Sequence, residues 1–539
     1  MPTCRAKTRP ARDFSQAPAV ATDAETLGAY LEDAAHYPGG FASGVARPRT
    51  EGEVAALVRA CRHVLPIGAQ SSVTGGATPM GEVVVSTARM ASVVEIGGDR
   101  ARVQPGVALT SLQEALAAAG AHYPPVPTYT GAFAGGVVAT NASGAATFKY
   151  GSTRDWVEAL TVVLASGEVL DVARGEVAAH PDGWFEIEGS RGVTRVPVPS
   201  YRMPDVPKRS AGYFAAPGMD LVDLFVGAEG TLGIITEITF RVLPRAPLVA
   251  LAFVPVPTEA GAVALVRALR DASRRTRQER DPRGIDVAAI ENLDRRCLEI
   301  LREDGVDRQH DVTLPLAAEM ALLVQIELPP GTTAARAYDE IGAALGDGAP
   351  DTPLVRVCRL LDAHGVLDAT ELAMPGDRRR AEQLLAVREA VPTGVNHRVA
   401  EAKRATGQAI EKTAADMVVP FDRFGEMLAL YHEGYRRRGL DHAIWGHISD
   451  GNVHPNVIPR TIEDVKAGKE AILEFGREAA RLGGCPLAEH GVGRSPVKQA
   501  LLLQLYGERG IEEMRAVKRA LDPEWKFAPG VVFEVRSEK

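Results

Sequence analysis

Residues 123–151, YPPVPTYTGAFAGGVVATNASGAATFKYG, constrain the chain more than any other stretch, because so dense a run of Gly, Ala, Ser and Thr keeps bulk away from something the backbone approaches closely. Gly131, Gly135, Gly136, Gly144 and Gly151 allow that approach, while Thr130, Thr140, Asn141 and Ser143 supply short hydrogen-bonding arms. Phosphate oxygens suit such a lining. A glycine-rich surface loop would look the same on this stretch alone, and a second stretch weighs against it. Residues 66–79, PIGAQSSVTGGATP, read as an anion nest: backbone N–H groups around Gly68, Gly75 and Gly76, with the hydroxyls of Ser71, Ser72 and Thr74, cradle negative charge without a lysine. Neither G-x-x-x-x-G-K-[ST] nor a G-x-G-x-x-G opening a helix is present, which counts against a P-loop kinase and a simple Rossmann dehydrogenase.

The 539 residues predict two or three domains with filled cores. The 61 basic and 69 acidic residues leave a net charge of −8, and no basic patch interleaved with aromatics points to nucleic acid. Cys4, Cys61, Cys297, Cys358 and Cys485 are scattered singly, which fits a reducing compartment and offers no iron–sulfur ligand set. Electrons passed onward would therefore go to another protein. The N-terminal MPTCRAKTRPAR has no apolar segment of a secretory signal and reads as a flexible tail, with cytoplasm as the default location.

Along the chain, Thr50 and Glu53 predict a capping box before the stripe Val54, Leu57, Val58 and Cys61. Thr110 and Gln113 open a second helix by the same logic. Strands are expected over 83–86, 93–96, 101–104, 160–164, 168–172 and 234–242, with turns at 97–99 and 166–167. Pro244 and Pro247 bracket a boundary. Beyond it, strands are expected over 248–256, 285–291, 321–328 and 354–360, and helices over 259–269 and 334–345, an order that suits an antiparallel sheet with helices on one face. The whole reads as α+β.

The C-terminal third carries the chemistry. In WGHISDGNVHPN, residues 445–456, Asp450 and Gly451 predict a two-residue hairpin turn. His447 then faces His454, with Cβ atoms about 4.5–5.5 Å apart, and Asn456 shares their face. Glu489 and His490 follow the breakers Gly483, Gly484 and Pro486. Two His and one Glu form a divalent-metal set with positions left open.

The pair of glycine-rich stretches, followed by GAEGTLGII at 227–235, resembles the FAD-binding domain of the vanillyl-alcohol oxidase and p-cresol methylhydroxylase superfamily over about residues 41–243. That resemblance implies FAD contacts from Ile67, Gly68, Ala69, Gln70, Ser71, Ser72, Thr74 and Gly75 in the first loop. It implies others from Thr130, Gly131, Gly135, Gly136, Asn141, Ser143, Gly144, Tyr150 and Gly151, and from Glu229, Gly230, Gly233, Ile234 and Ile235. Ala69, Gln70 and Ser72 stand where the family often has glycine.

H-x-x-D-G-N-x-H-x-N followed by E-H-G resembles the FAD-linked 2-hydroxyacid dehydrogenases, a group including D-lactate dehydrogenases, glycolate oxidase catalytic subunits and D-2-hydroxyglutarate dehydrogenase. The implied organisation is an N-terminal tail and helix (1–40), a p-cresol-methylhydroxylase-type FAD domain (41–245), and an antiparallel-sheet substrate domain (246–539) whose C-terminal helical segment, ending in WKFAPGVVF, returns to the flavin domain. The resemblance implies His447, His454 and Glu489 as ligands of zinc, manganese or iron, with Asn456 near substrate, His490 as the base and Arg388, in AVREAVP, on the substrate carboxylate. Ser449 stands at a usual glycine, and Ala414 stands at a usual lysine two residues before Asp416, which counts against a bulky dicarboxylate and leaves the identity of the hydroxy acid open. The implied reaction is metal-assisted oxidation of a 2-hydroxy acid by hydride transfer to N5 of non-covalent FAD. An electron-transfer protein, cytochrome or quinone would receive the electrons, and homodimerisation and peripheral attachment at the inner membrane are both compatible with the resemblance. Two rival readings stand beside it: an alkyl-glycerone-phosphate-synthase-like flavoenzyme, and a metallohydrolase on the same His and Glu residues.

Overall fold

The computed structural model describes residues 3–13 and 16–534. Met1, Pro2, Phe14 and Ser15 of the expected N-terminal segment lie outside the described residues. The chain divides into two compact units, one comprising Met1–Gly144, Gly151–Ala246 and Cys485–Lys539, the other Ala145–Tyr150 and Pro247–Gly484.

In the first unit, an eight-stranded sheet has the order Gly192–Pro197, Trp184–Gly189, Arg5–Arg9, Val169–Ala173, Val157–Val163, Ile234–Arg241, Arg100–Val103 and Val93–Gly97. The expected flexible tail is corrected here. Arg5–Arg9 is a strand, parallel to one neighbour and antiparallel to the other, because Arg5 meets Glu186 and Arg9 meets Glu51 and Asp171, which answers its charges. A smaller parallel sheet, in the order Gly44–Ala46, Val83–Ser86, Val64–Ile67, presents the first glycine-rich loop at the end of its edge strand. Helix Glu51–Ala60 packs Val54, Leu57 and Val58 against Val64, Val85, Val163, Ile234 and Phe527.

Its cap is only half of the expected box. Thr50 Oγ1 accepts the Glu53 N–H at 3.2 Å, but the Glu53 carboxylate reaches one residue further, to the Arg49 N–H at 2.6 Å. Helix Leu109–Ala118 has no side-chain cap at all, because Gln113 instead holds both backbone groups of Tyr123. The C-terminal helix Pro496–Leu521 is followed by a tail clasped by the small sheet: Val64 N–H donates to the Lys526 carbonyl and Ala528 N–H to the Val64 carbonyl, each at 2.8 Å.

In the second unit, an antiparallel sheet runs Glu371–Ala373, Leu248–Val256, Met320–Leu328, Val287–Asp294, His442–Gly446, Asn452–Val457, Thr413–Ala414, with Met417–Val418 also pairing to Asn452–Val457. All eight residues of Val287–Asp294 are buried, so both faces of this sheet are covered rather than the one expected. Helices Arg295–Glu303 and Arg378–Thr406 pack one face through Leu298, Leu301, Leu384, Val387 and Val391. The strand expected at 354–360 is instead the helix Pro353–Ala363: Thr352 caps it, Pro353 suits its first turn, and Leu354, Val355, Cys358 and Leu361 recur at helical spacing.

Candidate active site

The first unit holds a pocket of about 320 Å³. The loop after Val64–Ile67 lines it with Ile67, Gly68, Ala69, Gln70, Ser71 and Ser72, the middle stretch with Gly135, Gly136 and Ser143, and the third with Glu229, Gly230, Gly233, Ile234 and Ile235. A Cβ at Gly136 would have no atom within 4 Å, so the backbone there lies bare to the pocket. Next to it, a Cβ at Gly135 would stand 2.6 Å from Pro105 Cβ, so that glycine serves packing.

The remaining expected cofactor residues stand behind the wall or elsewhere. Thr74 bonds Ser72, and its carbonyl accepts the Arg494 N–H; a side chain at Gly75 would run into Tyr37. The Thr130 carbonyl accepts the Thr110 N–H, and a Cβ at Gly131 would meet Tyr129. Asn141 Oδ1 accepts the Arg154 N–H at 2.9 Å. Gly144 has Val126 O, and Gly151 has Asp155 Oδ2, where a Cβ would go. Tyr150 belongs to the second unit, its hydroxyl on Glu327 at 2.6 Å. The sequence reading missed Tyr129, Phe133, Val137 and Leu232, apolar lining whose only signal was proximity to the glycines.

Glu229 joins the third stretch to the E-H-G segment. Its carboxylate accepts the N–H groups of Val492 and Gly493 at 2.8 Å each. Burial pushes its carboxyl up to about 7, against the pull of those two N–H groups. Glu489 and His490 also line the pocket. Glu489 Oε2 lies 3.0 Å from the ammonium of wholly buried Lys208, and Oε1 lies 3.7 Å from His490 Nε2. Lys208 is another residue the sequence reading missed, in a segment with no motif of its own.

In the second unit, Glu291 is the hub. It is an acid in the middle of the wholly buried strand Val287–Asp294, directly after the apolar run Val287–Ile290, which is the signal that could have exposed it. Arg388 Nε donates to its Oε2 at 3.0 Å, and His447 Nδ1 lies 3.0 Å from its Oε1. Burial alone would raise the Glu291 carboxyl, but the charges of Arg388 and His447 hold it down at about 2. Arg388 is itself buried, on helix Arg378–Thr406.

His447 does not face His454 across a ladder. Trp445 does, and Ala443 faces Asn456, a register two residues away from the expected one. The connection 447–451 is a 3₁₀ turn rather than a two-residue turn, with the Ser449 hydroxyl accepting the Ile290 N–H at 3.1 Å and Gly451 in the left-handed region. The two imidazoles nevertheless come together, with ring centroids 5.6 Å apart and planes at 88°. His454 Nδ1 lies 3.5 Å from Asp416 Oδ1, and Asp416 also accepts from Asn452. Asn456 is buried beside them, donating to the His454 carbonyl at 2.7 Å.

Residues 42–173 match the family model described as FAD binding domain, and residues 255–532 match that of FAD linked oxidases, C-terminal domain. The chain belongs to the FAD-linked oxidases. Glycolate oxidase subunit GlcD of Bacillus subtilis is 27% identical over 507 residues, 92% of this chain and 90% of that protein. D-2-hydroxyglutarate dehydrogenase of Stutzerimonas stutzeri is 28% identical over 528 residues, 95% and 96% of the two chains. The solved structure of p-cresol methylhydroxylase with substrate bound shares the fold of this FAD-linked oxidase at a TM-score of 0.65 and 16% identity, covering 96% of this chain and 95% of that one. The first unit of the FAD-linked oxidase suits its cofactor: bare backbone at Gly136 and the hydroxyls of Ser71, Ser72 and Ser143 stand where an elongated, phosphate-bearing group needs small, polar neighbours.

Proposed function

We propose that this FAD-linked oxidase oxidises a 2-hydroxy acid to the 2-oxo acid. The observation that carries the reading is Arg388. Its Nε is engaged by Glu291, while its two terminal nitrogens have no hydrogen-bond acceptor among the described residues. A buried guanidinium held from behind is pre-organised to take a carboxylate in its fork. The names of the relatives, a glycolate oxidase subunit and a D-2-hydroxyglutarate dehydrogenase, agree with that chemistry.

In this reading Arg388 fixes the substrate carboxylate, and His490 Nε2 takes the hydroxyl proton. Glu291 keeps both Arg388 and His447 in their orientations, and Asn456 hydrogen-bonds the substrate. When bound, FAD is the two-electron sink for the hydride leaving C2. His447 and His454, with Glu489 as third donor, are proposed to hold a divalent metal. Two imidazoles and a carboxylate suit such an ion, and the Glu291 contact on His447 Nδ1 leaves Nε2 as the ligating atom. When bound, the ion is a Lewis acid that lowers the hydroxyl pKa. The reduced protein is proposed to pass its electrons to a protein or quinone acceptor.

Anaerobic mixing of the holoprotein with D- and L-2-hydroxy acids tests this directly. Bleaching of the flavin by one enantiomeric series, reversed by an artificial acceptor, is expected. A flavin that none of the acids reduces would overturn the reading.

A further inference from the structure

The second unit contains a cation answered by no carboxylate. Lys149 is paired with Asp286 and Glu327 at 2.5 Å each, and Lys469 with Glu411. No carboxylate lies within 4 Å of Lys412 among the described residues, and its ammonium instead lies 5.6 Å from the centre of the buried Trp445 ring. The side chain is open to solvent, yet surrounding protein alone brings its pKa down to about 8. The ammonium thus lies over a buried indole on one side and keeps an open side to water. An anion approaching from the open side would answer a cation that has no carboxylate of its own.

Strand register and the ring contact place the group on the sheet. Thr413 pairs with Val457 and Ala414 with Asn456, and Lys412 immediately precedes this short strand. Trp445, under the ammonium, is directly opposite His454 in the adjoining ladder. The Lys412 ammonium, over Trp445, is therefore on the side of the sheet that carries His454 and Asn456. Asn456 is 1% exposed, and its side-chain oxygen has no donor among the described residues. An unanswered cation and an unanswered acceptor on one face both point to a ligand bearing an anion and a hydroxyl.

We propose that Lys412 is a specificity-determining residue that binds a second anionic group at the far end of the substrate, so that the preferred 2-hydroxy acid is a diacid. This rests on the 2-hydroxy acid reading and narrows it.

The test uses two five-carbon acids, 2-hydroxyglutarate and 2-hydroxyvalerate, which differ in the terminal carboxylate. With the holoenzyme and an artificial acceptor, the wild type is expected to prefer 2-hydroxyglutarate. Lys412→Met should lower its kcat/KM roughly 10- to 100-fold, mainly through KM, the range for losing a charged hydrogen bond. Efficiency with 2-hydroxyvalerate should stay within about twofold, and Lys412→Arg should recover most of the diacid efficiency. Calorimetric titration of the oxidised holoenzyme with 2-oxoglutarate should show the same loss in Lys412→Met without any turnover. If that variant does not fold, Lys412→Gln carries the same comparison. Equal losses on both acids, no loss on either, or a wild type that prefers 2-hydroxyvalerate would overturn the proposal and leave the 2-hydroxy acid reading intact. A flavin reduced by no 2-hydroxy acid would remove that reading, and this proposal with it.

Discussion

Arg388 Nε and Glu291 Oε2 lie 3.0 Å apart, and the other oxygen of that carboxylate lies 3.0 Å from His447 Nδ1, so one buried acid orients two side chains assigned to the chemistry. Glu291→Gln removes the charge that holds both. We expect flavin reduction by the substrate to slow by about 10- to 100-fold in stopped-flow measurements, the usual cost of losing a partner behind a working residue. Thermal unfolding should also move down, since breaking a buried pair costs about 3–5 kcal/mol. A variant that reduces its flavin at the parent rate would show that Glu291 is only structural.

Two neighbouring glycines should fail in different ways. Gly136 has open space where a Cβ would stand, and it lines the pocket, whereas Gly135 is packed on Pro105. Gly136→Val is expected to give a folded protein, judged by far-ultraviolet circular dichroism, with little or no FAD. Gly135→Val should lose soluble protein or several degrees of Tm through overpacking, which costs about 1–3 kcal/mol. Full flavin content in Gly136→Val would rule out this pocket as the FAD site.

Removing one imidazole should separate metal from flavin. His447→Ala is expected to retain FAD, lose metal by elemental analysis, and turn over at least about tenfold more slowly. A chelator should reproduce the defect in the parent, and added divalent metal should rescue the parent but not the variant. A metal-free parent with a fully active His447→Ala variant would end the metal proposal.

A histidine pair elsewhere in the second unit makes stability depend on pH. The Leu440 carbonyl only accepts, so His442 Nδ1 carries hydrogen and its Nε2 is the acceptor for His432 Nδ1 at 3.0 Å. Glu259 accepts from His432 Nε2 at 2.8 Å, which makes His432 a donor at both nitrogens. Burial opposes that charge, but Glu259 outweighs it and raises the His432 pKa, while burial lowers that of His442. A raised histidine pKa stabilises the fold fully below its unfolded value of about 6.5, and the contribution is lost as pH rises through the folded value. Glu259→Gln should therefore lower Tm by about 1–2 °C at pH 5.5 and leave it unchanged at alkaline pH. A Tm difference that stays constant across that range would contradict the assignment.

Much of what was local could be read from the chain alone. The glycine-rich stretches, the helix over 51–60, the hairpin over 157–173 and the approach of the His447 and His454 rings, though not their register, depend on residues a few positions apart, whose backbone preferences act locally. What lay beyond reach involved partners far along the chain. Residues 354–360 looked like a strand because an apolar run fits either period, and packing with Ala344 selected the helix. The hairpin register shifted by two residues because Ser449 is tied to Ile290, a segment more than a hundred positions earlier. Arg5–Arg9 became a strand because the acids that answer its arginines come from 51, 171 and 186. Glu291 and Lys208 gained roles only when folding removed water from around them, since a buried charge must find its counter-charge wherever the chain brings one.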